Sequence, residues 1–417
     1  MQRRSTSGQA ATHSKSRPLP SDFARKETPT RAIALLALAG FAAQAMVRVT
    51  DSLLPQIAAD IGVTVGTASI IVTVYAVTHG SVQLVIGPVG DRFGKFLSIS
   101  IACALCALTV LACGLAQSLT TLALARIGAA LTAGWIIPLG MAFVGDAVPY
   151  ERRQQVLGRY LTGQITGQLF GQAAGGIIGD LLGWRAVFFI LAAVFAFTAV
   201  ALFRELAINP TTRPVLSAEE RSRGFVADYS IVLANPWART VLFAGLIEAA
   251  LMWGAFAYVG ADLHLRFDLS FTLIGLIVAM FGIGGLTYAA LVPRLVGRFG
   301  QVGLAIFGGL LIGAAYLALA VAPAWWIAPG GVVAIGLGFY MLHNTLQTNA
   351  TQMSPQARGT AVALFSSALY LGQSLGVAGG SLLIDRTGGP AIFVIAALLL
   401  PLLGFWFAAR LRKRSGA

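Results

Sequence analysis

Apolar runs of about 20 residues, the length that crosses a bilayer as an α-helix, recur along the whole chain and limit what it can fold into. The 417-residue sequence is 57% hydrophobic and only 11% charged, which is too little charge to cover a soluble protein of this size. Inside hydrocarbon every backbone amide must bond within its own segment, and the runs lack the alternation of barrel strands. The sequence therefore predicts an all-α polytopic membrane protein.

Twelve such runs predict the domain organisation. They lie at approximately 32–55, 67–87, 96–116, 120–145, 156–181, 185–203, 239–261, 271–293, 302–321, 326–349, 359–383 and 389–409. The longest polar stretch between runs divides the chain nearly in half. We predict six-helix bundles at 32–203 and 239–409, a cytoplasmic linker at 204–238, a disordered basic tail at 1–31 and a second basic tail at 410–417.

The basic residues predict the topology. Segments assigned to the cytoplasm hold most of them, whereas the outer loops hold only Arg185, Arg266 and Arg386. By the positive-inside rule both termini are cytoplasmic, and we expect the chain in a bacterial inner membrane. The net charge of +13 is spread over short segments between spans rather than over one face of a soluble module, which argues against nucleic-acid binding.

The three cysteines give little support to metal or redox chemistry. Cys103 and Cys106 have CxxC spacing and Cys113 lies in the same apolar run, but no His or further Cys is near them in sequence. Packing as small apolar residues is the favoured interpretation over a metal or redox role. We predict no cofactor and no metal site.

An internal repeat relates the two halves. A frame of Gly, Gln and Asp in the fifth run recurs about 205 positions later in the eleventh. The first copy is Gly167, Gln168, Gly171, Gly175, Asp180 and Gly183, and the second is Gly372, Gln373, Gly376, Gly380, Asp385 and Gly388. Two six-helix halves related as parallel repeats are characteristic of one large class of transporters.

The segment between the second and third runs carries a family resemblance. It reads Gly87-Pro88-Val89-Gly90-Asp91-Arg92-Phe93-Gly94-Lys95, which is similar to the loop signature G-x-L-x-D-R-x-G-R/K of the major facilitator superfamily. The resemblance covers nearly all of 32–409 and implies two pseudo-symmetric six-helix bundles. It also implies that Gly87, Gly90, Asp91, Arg92, Gly94 and Lys95 form a cytoplasmic gating loop. In the second copy of the loop Gly297 replaces the acid, so a latch there is expected to be weaker.

The fifth run carries a stripe of glycines that predicts close helix packing. Gly163, Gly167, Gly171 and Gly175 recur every four residues, and Gly176 widens the stripe. The run resembles the family's antiporter motif G-x-x-x-G-P-x-x-G-G, but Gln172 replaces its Pro and weakens the inference of antiport. Two interpretations stay open for Gln164, Gln168 and Gln172, which either line a polar cavity or bond across a helix interface.

Ionisable residues inside the runs are costly in hydrocarbon and predict functional groups. Arg48 and Asp51 share one face of the first helix, and Arg126 lies where the family has an R-x-x-Q-G motif. The resemblance to exporters implies a role of Arg126 in proton coupling. An Asp51–Arg126 pair would serve either that coupling or a static ion pair.

Glu248 is the most isolated acid, midway through the seventh run. Apolar surroundings favour the neutral carboxylic acid, so such a group can exchange protons near neutrality. We predict Glu248 as the proton carrier, the alternative being a satisfied contact between helices. The candidates for lining a substrate cavity, each of which could instead only pack, are Tyr75, His79, Gln83, Gln164, Gln168, Tyr340, His343, Asn344 and Gln347.

The sequence holds no G-x-x-x-x-G-K-S/T motif and no room for a soluble catalytic domain, so we predict a transporter and not an enzyme. The expected activity is proton-coupled efflux of a small molecule, a drug, sugar or metabolite, by a monomer in the lipid bilayer. The alternatives are an importer or uniporter of the same fold and, least favoured, a membrane receptor without transport.

Overall fold

The computed structural model describes residues 29–86, 93–148, 150–212 and 225–415. Within these ranges the chain is helical and has no strand, as the sequence predicted. Ten helical segments are long and apolar enough to cross a membrane. One of them, Phe271–Ala320, bends back at Gly300 and makes two crossings, and the 33-residue helix Tyr150–Leu182 adds another. The twelve spanning helices of the expected fold are therefore present.

We number these spanning helices 1 to 12. In order they are Thr30–Arg48 with Thr50–Ile61; Val65–Ala68 with Ile70–Gln83; Lys95–Leu115; Leu119–Ala133 with Ile136–Ala147; Tyr150–Leu182; Trp184–Ile208; Pro236–Phe256 with Val259–Phe267; Phe271–Ala279 with 281–299; 301–320; Ala328–Gln352; Arg358–Thr387; and Gly389–Ser415. A short helix, Phe225–Ala234, precedes helix 7.

Several boundaries differ from those that the apolar runs indicated. Helix 1 continues six residues past the predicted end and stops at Gly62, whose φ of 74° is the left-handed conformation that ends a helix. Gly300, with φ 57° and ψ −175°, separates helices 8 and 9. Backbone hydrogen bonding and capping determine where these helices end, and the hydropathy of the sequence gives no information about hydrogen bonding or capping.

The polar segments are also more helical than expected. Residues 204–208 continue helix 6, and the predicted linker contains the helix Phe225–Ala234. Residues 410–415 continue helix 12, although a tail was predicted there. The predicted disordered tail lies almost wholly outside the described residues.

The two halves repeat one packing scheme. Helix 1 packs along helix 5 and helix 3 along helix 6, while helix 7 packs along helix 11 and helices 8 and 9 pack along helices 10 and 12. Between the halves the main contacts join helix 2 to helix 11 and helix 5 to helix 8. A polar group near either of these two contacts, which we call the seams between the halves, can interact with residues of both halves.

Glycines make the pairs 1–5 and 7–11 possible. A Cβ atom added at Gly163, Gly167 or Gly171 would collide with the backbone of helix 1, because two backbones meet there without intervening side chains. Gly372 and Gly376 have the same relation to helix 7. The small residues of the repeat therefore set how closely these helices approach in both halves.

This packing makes a prediction about Gly376. We expect Gly376→Val to lower the folded yield and melting temperature strongly, because the added Cβ would overlap the carbonyl oxygen of Ala250. The overpacking cost is about 2 kcal/mol, and backbone cannot move aside as a side chain would. Gly379→Val is the control, since nothing lies within 4 Å of a Cβ on that exposed side of the same helix. Equal melting temperatures of the two variants in detergent would contradict the proposed packing role.

Candidate functional site

Glu248 of helix 7 and His343 of helix 10 form a buried pair. The distance from His343 Nδ1 to Glu248 Oε2 is 2.9 Å, and the Glu248 side chain is fully buried. The imidazole stacks on Phe339 with ring centroids 4.6 Å apart. Glu248 Oε1 has no hydrogen-bond partner among the described residues. One carboxyl oxygen thus bonds to the histidine, and the other has no partner in the described structure and can accept a proton.

Arg126 of helix 4 is held mainly by backbone. Its Nη1 donates to the carbonyl oxygen of Met46 at 3.1 Å and its Nε to that of Ile71 at 3.3 Å. The guanidinium carbon lies 4.1 Å from the centroid of the Tyr75 ring. Within the described ranges no ion pair joins Arg126 to Asp51, so the pairing considered from the sequence is not formed in this conformation.

Asp51 of helix 1 has other neighbours. Gln172 of helix 5 donates from Nε2 to Asp51 Oδ2 at 3.3 Å, and Arg48 Nη1 lies 3.9 Å from the same oxygen. Gln172, which stands where the antiporter motif has Pro, is therefore a hydrogen-bond donor to a buried acid. This contact links helix 5 to the ionisable face of helix 1.

Arg48 reaches across the interface between the halves. Its guanidinium carbon lies 3.4 Å from the ring centroid of Trp253 on helix 7. Trp253 begins an aromatic wall that includes Phe281 and Phe339, each 5.2 Å from it by ring centroids. Sequence reasoning noted Arg48 only as a neighbour of Asp51 and did not select Trp253. The only sign in the sequence of a role for Arg48 was that an arginine lies inside an apolar run.

The candidates on helix 2 lie at the seam with helix 11. The His79 ring lies 4.2 Å from that of Tyr370 and 5.6 Å from that of Tyr75. The Tyr75 hydroxyl and His79 Nδ1 are buried and have no hydrogen-bond partner in the described structure. Gln83 Nε2 donates to the carbonyl oxygen of Gly134 at 3.4 Å, so Gln83 bonds across a helix interface.

The remaining cavity candidates divide into two groups. On helix 10, Tyr340 stacks with Tyr288, its ring centroid 6.3 Å away, while Asn344 is half-buried and Gln347 is exposed. On helix 5, the Nε2 atoms of Gln164 and Gln168 are buried and lack partners among the described residues. The glutamines thus retain donors that a bound molecule could use.

Two aspartates close the end of the bundle remote from Thr30 and Ser415, which we call the distal end. Asp385, at the end of helix 11, accepts hydrogen bonds from Thr64 Oγ1 at 2.5 Å and from Gly66 N at 2.9 Å, at the start of helix 2. Asp180, at the end of helix 5, accepts from Thr272 Oγ1 at 2.7 Å and Thr272 N at 3.2 Å, at the start of helix 8. Both contacts cross between the halves. Asp180 and Asp385, which occupy equivalent positions in the sequence repeat, therefore also make equivalent contacts with the opposite half.

Only part of the predicted gating loop lies within the described residues. Gly87, Gly90, Asp91 and Arg92 lie outside the described residues. Gly94 precedes helix 3, and Lys95 Nζ lies 2.5 Å from Asp146 Oδ2 at the end of helix 4. This ion pair ties the beginning of helix 3 to helix 4 within one half.

The cysteines of helix 3 are buried packing residues. All three have free thiols, and Cys106 Sγ lies 3.1 Å from the Thr132 hydroxyl of helix 4. In the part of the chain that the structure describes, no cluster of His, Cys, Asp or Glu has the arrangement to hold a metal ion.

Twelve spanning helices in two related halves, with buried ionisable groups near their interface, define an integral multi-pass membrane transporter. The chain belongs to the Major Facilitator Superfamily, whose family profile matches residues 36–377 and 267–417.

Relatives named as transporters match most of this length. The uncharacterized MFS-type transporter YceJ of Bacillus subtilis is 24% identical over 340 residues, 80% of this chain and 84% of the relative. A probable sugar efflux transporter of Pasteurella multocida is 25% identical over 408 residues, 93% of this chain and 95% of the relative.

Solved structures share the fold. An inward-facing bacterial homolog of the human lysosomal transporter Spinster superposes with a TM-score of 0.69 at 20% identity, covering 92% of this chain and 97% of that one. The nucleoside transporter NupG has a TM-score of 0.74 at 13% identity, covering 91% and 99%. At such identities these structures show the fold alone.

Proposed function

We propose that this transporter is a proton-coupled efflux antiporter that moves a small molecule by alternating access. The observation that carries the proposal is the Glu248–His343 pair, a buried carboxyl and imidazole in contact between two helices of the second half. A carboxyl group in such a site is stable when protonated and costly when charged and unpaired. It can therefore make one conformation depend on a bound proton.

The distal contacts support the alternating-access part. With both termini in the cytoplasm, as the basic segments predict, the distal end faces the outside and is closed here by Asp180 and Asp385. Outward opening would require both contacts to break as the halves rock against each other. The residues between the halves would then be accessible alternately from the outside and from the cytoplasm.

The coupling cycle assigns the residues distinct roles. A proton entering from outside binds Glu248 at Oε1, the carboxyl oxygen without a partner, and removes the charge that holds His343. Substrate leaves outward; after the return to the closed distal end the proton passes to the cytoplasm and substrate binds again. Asp51 and Arg126 are the alternative coupling groups, since both are buried in the other half.

The names of the sugar efflux relatives support export and a polar cargo. We propose a sugar, drug or metabolite as substrate and a monomer in a bacterial inner membrane as the working unit. A proton symporter or a uniporter would use the same fold, with the opposite or no dependence on the proton gradient. A receptor without transport is the least favoured alternative.

Transport in proteoliposomes tests the proposal. Ligands found by thermal-shift screening are loaded inside vesicles, and efflux is followed under outward and inward pH gradients with a pH-sensitive dye inside. An antiporter moves protons into the vesicle as substrate leaves, so an inward proton gradient accelerates efflux from protein of the corresponding orientation. Co-movement of protons and substrate would indicate symport, and the absence of any substrate-stimulated proton flux would contradict the coupling.

A further inference from the structure

Two buried arginines of the first half have one carboxylate at ion-pair distance from either of them among the described residues. Arg48 is 6% exposed and Arg126 is fully buried, and guanidinium groups stay charged in proteins. Among the described residues, Asp51 is the one carboxylate within 4 Å of either. Its oxygen is 3.9 Å from Arg48 Nη1, which is too long for a hydrogen bond. Glu248 holds His343 instead.

Arg126 donates two hydrogen bonds to backbone carbonyl oxygens and lies over the face of Tyr75, although its Nη2 is buried without a partner among the described residues. Arg48 has less support of this kind. Its Nε is buried and has no partner in the described structure, and its long contact with Asp51 leaves it without a close anionic partner. A buried cation is costly when its partners are incomplete, so a ligand that brings an anion closer than Asp51 would lower that cost at Arg48.

The position of Arg48 suits recognition of a substrate. Trp253 supports one face of the guanidinium at 3.4 Å, from the opposite half of the molecule. Stacking on a ring leaves the in-plane N–H groups of a guanidinium available, and their fork matches the two oxygens of a carboxylate.

Neutral polar groups accompany this cation. Gln44 precedes Arg48 by one helical turn, and its Oε1 is buried without a partner among the described residues. Gln168 Nε2 and Gln172 Oε1, on the helix that packs against helix 1, are in the same condition. These atoms could bond to hydroxyl or amide groups of a molecule whose charged end lies on Arg48.

We propose that the transported molecule carries a carboxylate and that Arg48, stacked on Trp253, is its binding residue. This inference rests on the proposed transport function and adds the chemical class of the cargo. Because the guanidinium belongs to one half and its supporting ring to the other, a carboxylate bound to Arg48 would act on both halves through the Arg48–Trp253 contact. Substrate binding would then also influence how the halves sit together.

Equilibrium binding without a pH gradient tests this assignment. The protein in detergent is titrated with matched acid and amide pairs, such as glucuronate and glucuronamide, lactate and lactamide, or benzoate and benzamide, and its melting temperature is measured. We expect at least one acid to stabilise the wild type while its own amide does not. Arg48→Gln should weaken that binding by about 10- to 100-fold, the value of a hydrogen bond to a charged group.

Two further variants make the result specific. Arg48→Lys keeps the charge without the fork, so it should retain the preference for the acid at reduced affinity and also serve if Arg48→Gln does not fold. Arg185→Gln is the control, because Arg185 is an arginine paired with Asp60 at the distal end and should leave binding unchanged.

Several outcomes would overturn the assignment. They are stabilisation of the wild type by amides as strongly as by acids, the absence of stabilisation by every acid, and unchanged acid binding in Arg48→Gln. Stabilisation by chloride with equal loss in Arg48→Gln would make the ligand an inorganic anion instead. Since no proton gradient is involved, the carboxylate site and the proton coupling can fail independently.

Discussion

Glu248→Gln is expected to abolish transport driven by a pH gradient while substrate exchange without a gradient continues. The amide has nearly the shape of the acid and can still bond to His343, but it cannot take up a proton. Efflux from proteoliposomes should fall to the level of empty vesicles when a pH gradient is the only driving force. Exchange of labelled for unlabelled substrate at equal pH should keep its rate and lose its dependence on pH.

The controls for Glu248 separate coupling from stability. Glu205 is another buried acid, 2% exposed, but it pairs with Arg31 near the beginning of helix 1 and takes no part in the proposed cycle. Glu205→Gln should therefore keep gradient-driven efflux. If Glu248→Gln retained full gradient-driven transport across pH, Glu248 would not be the coupling group. Loss of coupling in Asp51→Asn in that case would assign coupling to the first half.

The double substitution Asp180→Asn with Asp385→Asn is expected to open the distal end. Each aspartate accepts two hydrogen bonds from the start of a helix in the other half, where the helix dipole favours a negative charge. Asn keeps an acceptor oxygen, so each substitution removes mainly the interaction of the charge with the helix dipole, about 0.3 to 1 kcal/mol. Two such contacts present only in the closed state would shift the equilibrium toward opening by roughly 3- to 30-fold.

Distances across the distal end measure this shift. Spin labels at Gln117→Cys and Pro323→Cys, which are exposed in distal loops of the two halves, report the separation by pulsed electron resonance, and the native cysteines are buried. The double variant should increase the fraction of long distances, and each single variant should give a smaller increase. Salt should reduce the difference, because the two acids are exposed.

Asp60→Asn is the matched control for the distal contacts. Asp60 is an acid at the same end, but its partners Arg185 and Trp184 belong to its own half. Its removal should leave the distance distribution unchanged. A distribution in the double variant that equals that of Asp60→Asn would mean that the distal aspartates do not hold the closed state.

The sequence predicted most of the fold because its signals are local. An apolar run of sufficient length must be a helix in a bilayer, whatever lies beside it. Glycines at intervals of four predicted a close approach on one face of helix 5, and the repeat has glycines at equivalent positions of helix 11. The differences lie at helix ends such as Gly62, at residues 410–415 and in the linker with its helix Phe225–Ala234, where capping and helix continuation override hydropathy.

The sequence could name candidate groups for the site but could not pair them. It selected Glu248 and His343 separately, and it suggested Asp51 with Arg126, which form no ion pair within the described residues in this conformation. Trp253 gave no signal at all, since an aromatic residue in an apolar helix is ordinary. The role of Gln172 as a donor to Asp51 was likewise invisible, because the sequence shows only that a Pro is missing.

The sequence by itself determined the membrane-spanning class, the twelve helices and the equivalence of Asp180 with Asp385, because each depends on composition or spacing along the chain. Only the tertiary structure decided that His343 bonds to Glu248, that Arg48 lies on Trp253 and that Asp385 caps the start of helix 2. Those contacts join residues far apart in the chain. They depend on the rotation and crossing of whole helices, which a small change in packing can alter without changing any local pattern.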